Sequence, residues 1–138
     1  MKNLILIDRT LTILFLSDTY GGRVHDKRMA DANPYSLPAG SWLLQDLGFL
    51  AFSLNGVETL TPFKKPRGGS LTPAQKAFNR HLSSIRVRVE HVIGSVKRCR
   101  IVKDICRLRL PLANDSVMEI ACSLHNFRLS LFPWQPLV

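Results

Sequence analysis

TPAQKAFNRHLSSIRVRVEHVIGSVKR, residues 72–98, is the stretch of this chain with the clearest local signals. It opens with a capping box, in which Thr72 takes the N-cap, Pro73 the first helical position and Gln75 the third. Apolar residues then recur at spacings of three and four, as they do along one face of a helix. The pattern predicts a long amphipathic helix over about 73–98, with a core-facing stripe of Phe78, Leu82, Ile85, Val89, Val92, Ile93 and Val96.

Glu90 is the one acid among five Lys or Arg residues between positions 86 and 100. At roughly 100° per residue, it lies roughly 100° from the centre of the apolar stripe, at the edge of that stripe. One interpretation is an ion pair with Arg86, four residues earlier, worth about 0.3–0.5 kcal/mol. The other is a metal ligand, which needs a second carboxylate from another element. Spacing alone leaves both open.

Short apolar stretches upstream of the helix predict four strands. LILI (4–7) and TILFLS (12–17) flank Asp-Arg-Thr, which favours an antiparallel hairpin. SWLLQD (41–46) is the third strand candidate, and VETLTPF (57–63) is the fourth.

Two further helices are expected, separated from the strands by breaker-rich loops. Residues 25–32 predict a short helix with Asp26 near its N-terminus, followed by a Pro-rich loop at 33–40. KKPRGGS (64–70) is a basic, Gly-rich loop. A last helix is predicted at about 115–131, and its inward residues are expected to be Val117, Ile120, Ala121, Leu124 and Phe127.

The charge of the chain is high and uneven. The 138 residues suit one domain, yet they carry a net charge of +9 and a pI near 10.1. Residues 64–109 alone hold 13 of the 19 Lys and Arg and only two acids, so this segment is +11 and the rest about −2. Such a segment indicates a phosphate-binding footprint on nucleic acid, with a solvated basic face as the plain alternative.

Other classes of protein are disfavoured by the same features. No segment reaches the ~18 apolar residues that a membrane span needs, so no membrane partner is expected. Cys99, Cys106 and Cys122 lack zinc-site spacing and are interpreted as reduced thiols of a cytoplasmic protein.

Asp46 is the best candidate for a second carboxylate beside Glu90. It stands where the third strand ends, and sites in open α/β sheets assemble at the carboxyl ends of strands. An aspartate in this place is also a common turn or cap residue. Two or three carboxylates from separate elements can hold Mg²⁺ ions, which clamp the attacking and leaving oxygens in phosphodiester chemistry.

Four segments also carry a family resemblance. They are LSDTYGGRVHDKRMAD (16–31), LLQDLGF (43–49), the stretch from PFKKPRGG to the end of the long helix (62–98) and SLHNFR (123–128). In order and spacing they resemble the catalytic domain of bacterial insertion-sequence transposases of the DDE superfamily, in the branch related to Harbinger-type transposases. The resemblance runs over nearly the whole chain.

The resemblance implies an α/β protein with an RNase H-like fold, a mixed β-sheet with flanking helices. It implies that Asp46 and Glu90 are the second and third catalytic acids and ligands of Mg²⁺ (or Mn²⁺). The implied chemistry is cleavage of DNA at the ends of the element, then strand transfer by a 3′-hydroxyl. The matching basic positions would border transposon-end and target DNA, and these are Lys64, Lys65, Arg67, Arg86 and Lys97.

The chain departs from the family upstream. The first catalytic aspartate lies on the first strand of such a fold, before the segment at 2–17, and Asp8 in the hairpin turn is a poor stand-in. Residues 1–138 are therefore expected to be a single truncated catalytic domain that lacks the first strand and the N-terminal DNA-binding region. Such a domain would be inactive alone, with a homodimer or a complementing N-terminal fragment to repair it.

A second function class stays open, a non-catalytic basic DNA-binding protein of the repressor type. The two interpretations separate on whether Asp46 and Glu90 face each other within metal-bridging reach. Either protein would work in the bacterial cytoplasm, at the nucleoid when bound to DNA. His25 and Asp26 are interpreted as structural residues, and His125 as a core histidine.

Overall fold

Two short sheets and three helices make up the part of the chain that the computed structural model describes, residues 1–33, 35–49, 52–104 and 107–135. The chain divides into a first unit of residues 1–22 and 87–138 and a second unit of residues 23–86. In chain order the elements are β1 (Ile5–Ile7), β2 (Ile13–Leu16), α1 (Asp26–Ala32), β3 (Trp42–Leu44), β4 (Glu58–Leu60), α2 (Pro73–Val96) and α3 (Ala113–Leu131).

The first unit begins with the predicted hairpin. Strands β1 and β2 pair antiparallel, with Ile5 opposite Leu16 and a shift of register after Leu6. Asp8 shapes the turn, because its Oδ1 accepts hydrogen bonds from the backbone N–H groups of Thr10 and Thr12, each at 2.9 Å. Asp8 is therefore a turn residue, as its place between the two apolar runs predicts.

Helix α3 is tied to this hairpin by two adjacent side chains. His125 is buried, and its Nε2 lies 2.8 Å from the backbone oxygen of Leu11. Asn126 accepts a hydrogen bond from the backbone N–H of Ile13 and donates one to its oxygen, both at 2.9 Å. The expectation that His125 is a core histidine is confirmed. The core of the unit consists of Leu11, Ile13, Val92, Val96, Ala121 and Cys122.

The predicted inward face of α3 is wrong at three of its five residues, whereas Ala121 is buried and Val117 is half-buried. Ile120, Leu124 and Phe127 are 61%, 53% and 63% exposed, whereas Cys122 and His125 are buried beside Ala121. Helix α3 has two apolar stripes, and each has helical spacing. The hydrogen bonds from His125 and Asn126 to the hairpin select the stripe that faces the core. These bonds cannot be predicted from the spacing of hydrophobic residues.

The second unit contains the parallel pair of strands. Strand β3 lies beside β4, with Trp42 opposite Glu58 and Leu44 opposite Leu60. Both strands are shorter than predicted, and in the described residues they form a sheet separate from that of β1 and β2. The α/β class is confirmed, and the RNase H-like arrangement of one mixed sheet stays a prediction.

Helix α2 begins at the predicted capping box. The backbone N–H of Thr72 donates to Gln75 Oε1 at 3.0 Å, and the backbone N–H of Gln75 donates to Thr72 Oγ1 at 3.2 Å. Leu82, Val92 and Val96 of the predicted stripe are buried. The helix ends at Val96, two residues earlier than predicted.

Two smaller expectations concern membranes and thiols. None of the helices in the described ranges is long and apolar enough to cross a membrane. Cys99 and Cys122 are free thiols, and burial raises the pKa of the Cys122 thiol, which favours its protonated form. Cys106 lies outside the described residues.

Candidate active site

The turn after β3 carries the first predicted site residue, Asp46. The preceding residue, Gln45, continues the pairing with β4 through its backbone N–H, which donates to the oxygen of Leu60 at 3.0 Å. The amide Nε2 of Gln45 donates to the backbone oxygens of Phe49 and Phe52, each at 3.2 Å. Gln45 thus fixes the turn that presents Asp46 at the carboxyl end of a parallel strand, where the sequence predicts it.

The carboxylate of Asp46 already has two partners. Its Oδ1 accepts a hydrogen bond from the backbone N–H of Leu47 at 2.8 Å, which is the contact of a turn or cap residue. Its Oδ2 lies 3.2 Å from a guanidinium nitrogen of Arg86 on α2. The two side chains are 49% and 44% exposed, so this ion pair contributes less than about 1 kcal/mol to stability.

Arg86 therefore has a different partner from the one that helical spacing suggests. Its ion pair is with Asp46, across two elements of the second unit, rather than with Glu90 four residues further along α2. The interpretation of Glu90 as a plain partner of Arg86 gains no support from this contact. The guanidinium of Arg86 therefore neutralises part of the charge of the Asp46 carboxylate.

Glu90 is exposed on the later half of α2. It belongs to the first unit, whereas Asp46 belongs to the second. Their oxygen chemistry suits Mg²⁺, which prefers carboxylate and water ligands in octahedral geometry. In the described ranges, however, no group of three or more His, Cys, Asp or Glu side chains is placed to hold a metal ion. Asp46 and Glu90 are thus each a single potential ligand within its own unit.

Asp26 is a second carboxylate near the turn after β3, in addition to Asp46, and the sequence did not predict this placement. A Cβ added to Gly48 would come within 2.5 Å of Asp26 Oδ2, so the two residues are in close contact. His25 is the N-cap of α1, where its Nδ1 accepts from the backbone N–H of Lys27 at 3.4 Å. The structural role expected for His25 is confirmed, and that of Asp26 stays a prediction. The one sequence signal for the contact is the glycine two positions after Asp46.

The basic loop, defined as residues 64–70, contains three of the residues predicted to border DNA. Lys64, Lys65 and Arg67 are exposed. The residue before the loop, Phe63, is bound at both backbone groups by the side chain of Asn79: its N–H donates to Oδ1 at 2.8 Å and its oxygen accepts from Nδ2 at 3.0 Å.

The other two residues predicted to border DNA lie on or beside α2. Arg86 is exposed but engaged with Asp46. Lys97 is exposed just past the end of the helix, in the first unit. Arg86 therefore contacts Asp46. Lys97 belongs to the first unit, whereas the basic loop belongs to the second.

Comparison with known proteins gives two matches. The DDE superfamily endonuclease family matches residues 1–126. The chain is 30% identical over 106 residues to the probable transposase for insertion sequence element IS702 from Microchaete diplosiphon. That match covers 77% of this chain and 38% of the transposase. No solved structure matches the chain.

Proposed function

We propose a DNA-acting function from one premise: this chain belongs to the DDE superfamily endonuclease family. The proposed activity is that of a transposase-type endonuclease and strand-transfer domain, which cleaves and joins the phosphodiester backbone of insertion-sequence DNA. The family match over residues 1–126 is the observation that carries this proposal. The match covers 38% of the IS702 transposase, so the activity of a whole transposase is only proposed for this chain.

The distribution of charge supports DNA as the partner. The exposed residues Lys64, Lys65 and Arg67 stand in one short loop with no acid in it. Lysine and arginine side chains that neutralise phosphates release counterions, which gives affinity without regard to base sequence. We propose that this loop, Arg86 and Lys97 contact the DNA backbone.

Endonucleases of this superfamily generally use divalent metal ions. We propose that Asp46 and Glu90 supply two of the ligands of Mg²⁺ (or Mn²⁺) and that at least one more carboxylate must join them. Such an ion would supply Lewis-acid stabilisation of the oxygens around phosphorus. The chain's own contribution at Asp46 is orientation, since Leu47 N–H holds one carboxylate oxygen and Arg86 the other.

The need for a further ligand also supports the proposal that residues 1–138 are inactive alone. A homodimer or a complementing N-terminal fragment would then supply the further carboxylate. Loss of one catalytic ligand costs several kcal/mol of transition-state stabilisation, which is a large factor in rate. The proposed place of action is the bacterial cytoplasm, at the nucleoid.

A non-catalytic, repressor-like DNA-binding protein is the second candidate. The ion pair between Arg86 and Asp46 favours it, because a cation already neutralises the carboxylate that the nuclease hypothesis assigns to metal. Both candidates bind DNA, and they differ in metal binding.

DNA binding is tested with a loop-neutral variant, Lys64→Gln with Lys65→Gln and Arg67→Gln. We expect wild-type protein to bind a short double-stranded DNA of arbitrary sequence with strong salt dependence. The loop-neutral variant should bind more weakly, and the slope of log K against log[salt] should fall by about 0.9 for each phosphate that the variant no longer neutralises.

The matched control removes three charges elsewhere, at the exposed residues Arg9, Arg28 and Arg128. Fluorescence anisotropy across a salt series measures all three proteins. Equal weakening in the control and in the loop-neutral variant would contradict a DNA interface at the basic loop, and absence of salt-dependent binding by wild-type protein would contradict the DNA-acting function.

A further inference from the structure

We infer that Asn79 is a positioning residue, which holds the basic loop in the conformation that receives DNA phosphates. The inference rests on the proposed DNA-binding function and adds a residue with no charge and no expected contact with DNA. It starts from the side chain of Asn79, which bonds both backbone groups of Phe63, the residue directly before Lys64.

The contact between Asn79 and Phe63 imitates the pairing of two strands. One amide group donates to the backbone oxygen at 3.0 Å and accepts from the backbone N–H at 2.8 Å, so neither group of Phe63 can rotate away without breaking a bond. The preceding residue on the helix adds a ring contact, because Phe78 and Phe63 lie edge to face with centroids 5.3 Å apart. The start of the loop is thus fixed to the second turn of α2.

The other end of the loop is fixed to the first turn of the same helix. The reciprocal hydrogen bonds of Thr72 and Gln75 set where the chain enters α2. Between the two ends, the backbone N–H of Gly69 donates to the oxygen of Pro66 at 3.2 Å, and Gly68 has a φ of +75°, which glycine adopts without strain. The loop is therefore a short arch with both ends on one helix.

The arch has a consequence for binding. A flexible segment must be ordered when it binds, and this ordering reduces its affinity, whereas a segment ordered in advance avoids the loss. Only an amide side chain offers a donor and an acceptor in the geometry that one backbone unit requires. Aspartate would lack the donor and would place a negative charge beside two lysines.

The first test measures the order of the loop without DNA. Trypsin can cut after Lys64 and after Arg67, and a held arch resists it. We expect Asn79→Ala to be cut at these bonds several-fold faster than wild-type protein, with an unchanged melting temperature. Ser83→Ala, an exposed position one turn further along α2, is the matched control. Asn79→Gln keeps both amide groups and should recover part of the resistance.

The second test links that order to DNA. Asn79→Ala is expected to weaken DNA binding several-fold in wild-type protein and to have no effect in the loop-neutral variant, because the charges that it positions are gone. Equal weakening in both backgrounds would overturn the inference, since Asn79 would then act on DNA or on the fold directly. Unchanged cleavage by trypsin in Asn79→Ala would overturn it as well.

Failure of the proposed function gives a different pattern. Wild-type protein would then show no salt-dependent DNA binding, and the inference would fail as a statement about DNA even if Asn79→Ala exposed the loop to trypsin. DNA binding that depends on the charges of the basic loop but not on Asn79 would leave the proposed function standing and overturn the inference alone.

Discussion

Gly48 lies two residues after Asp46 and directly against the carboxylate of Asp26. The nearest atoms to a Cβ added at this glycine would be Oδ2, Cγ and Cβ of Asp26, at 2.5, 3.3 and 3.4 Å. The whole short side chain, and not only its tip, is close to the glycine. A larger residue at this position would therefore force the side chain of Asp26 to move.

Gly48→Ala is accordingly expected to reduce the free energy of unfolding by about 1–3 kcal/mol, the usual cost of overpacking. The same substitution made together with Asp26→Ala should be nearly neutral, because the clash is then removed. Urea unfolding measures both. Gly21→Ala serves as the control, since a Cβ at Gly21 meets nothing within 4 Å. An equal cost of Gly48→Ala with and without Asp26 would contradict this account.

Arg86 shows why single-residue contacts are hard to predict from sequence. Its spacing from Glu90 on α2 favours an ion pair of a few tenths of a kcal/mol, and no local rule opposes that pair. The observed partner, Asp46, is 40 residues away in sequence, and only the tertiary packing of the turn after β3 brings it to α2. The position of Asp46 was predictable because the end of a strand is a local feature, but its partner was not.

Asn79 belongs to the same class of unpredicted contacts. Its position on α2 gives no sign that both of its amide groups bind the backbone of Phe63, 16 residues earlier. The exposed charges of the basic loop were evident in the sequence, whereas the side chain that anchors them was not.

At the scale of elements, local signals predicted α2 and the hairpin well. The capping box at Thr72 and the stripe through Leu82, Val92 and Val96 are both present in the structure. Helix α3 was predicted as a helix, but with the wrong face inward, since both of its stripes satisfy the same spacing. Hydrogen bonds from His125 and Asn126 to the hairpin select the buried face, and those bonds are tertiary.

The difference in burial between Leu82 on α2 and Leu124 on α3 leads to a prediction about stability. Leu82→Ala, at a site 1% exposed, should reduce the free energy of unfolding by about 2–5 kcal/mol, the range for buried leucines. Leu124→Ala, at a site 53% exposed, should change it by no more than about 0.5 kcal/mol. Chemical unfolding of the two variants makes the comparison.

Equal destabilisation by the two leucine substitutions would contradict the assignment of faces on α3. Such a result would show that Leu124 is packed in solution, as the hydrophobic spacing alone suggested. Phe127→Ala, at a site 63% exposed, repeats the measurement on the same stripe.

At the scale of the molecule, the chain combines a basic segment with a family membership that the sequence motifs already indicated. The net charge of residues 64–109, +11, exceeds the +9 of the whole chain, and these residues include all of α2. The family match over residues 1–126 confirms the transposase resemblance. The arrangement of the sheets was less predictable, since short strands pair according to contacts distant in sequence, and the described strands form two separate pairs.

Asp46 and Glu90 are the two carboxylates that we propose as ligands of a divalent metal ion, and metal binding separates the nuclease from the plain DNA-binding protein. Titration calorimetry with Mn²⁺ on folded protein tests it most directly, using wild-type protein, Asp46→Asn and Glu90→Gln. Asp31→Asn is the matched control, because Asp31 is exposed and paired with Lys27 on α1. Because this chain supplies two of the proposed ligands, we expect weak Mn²⁺ binding by wild-type protein and by Asp31→Asn, and loss of that binding in both Asp46→Asn and Glu90→Gln. Binding that survives in both of those variants, or absence of even weak binding by folded wild-type protein, would contradict the proposed metal ligands.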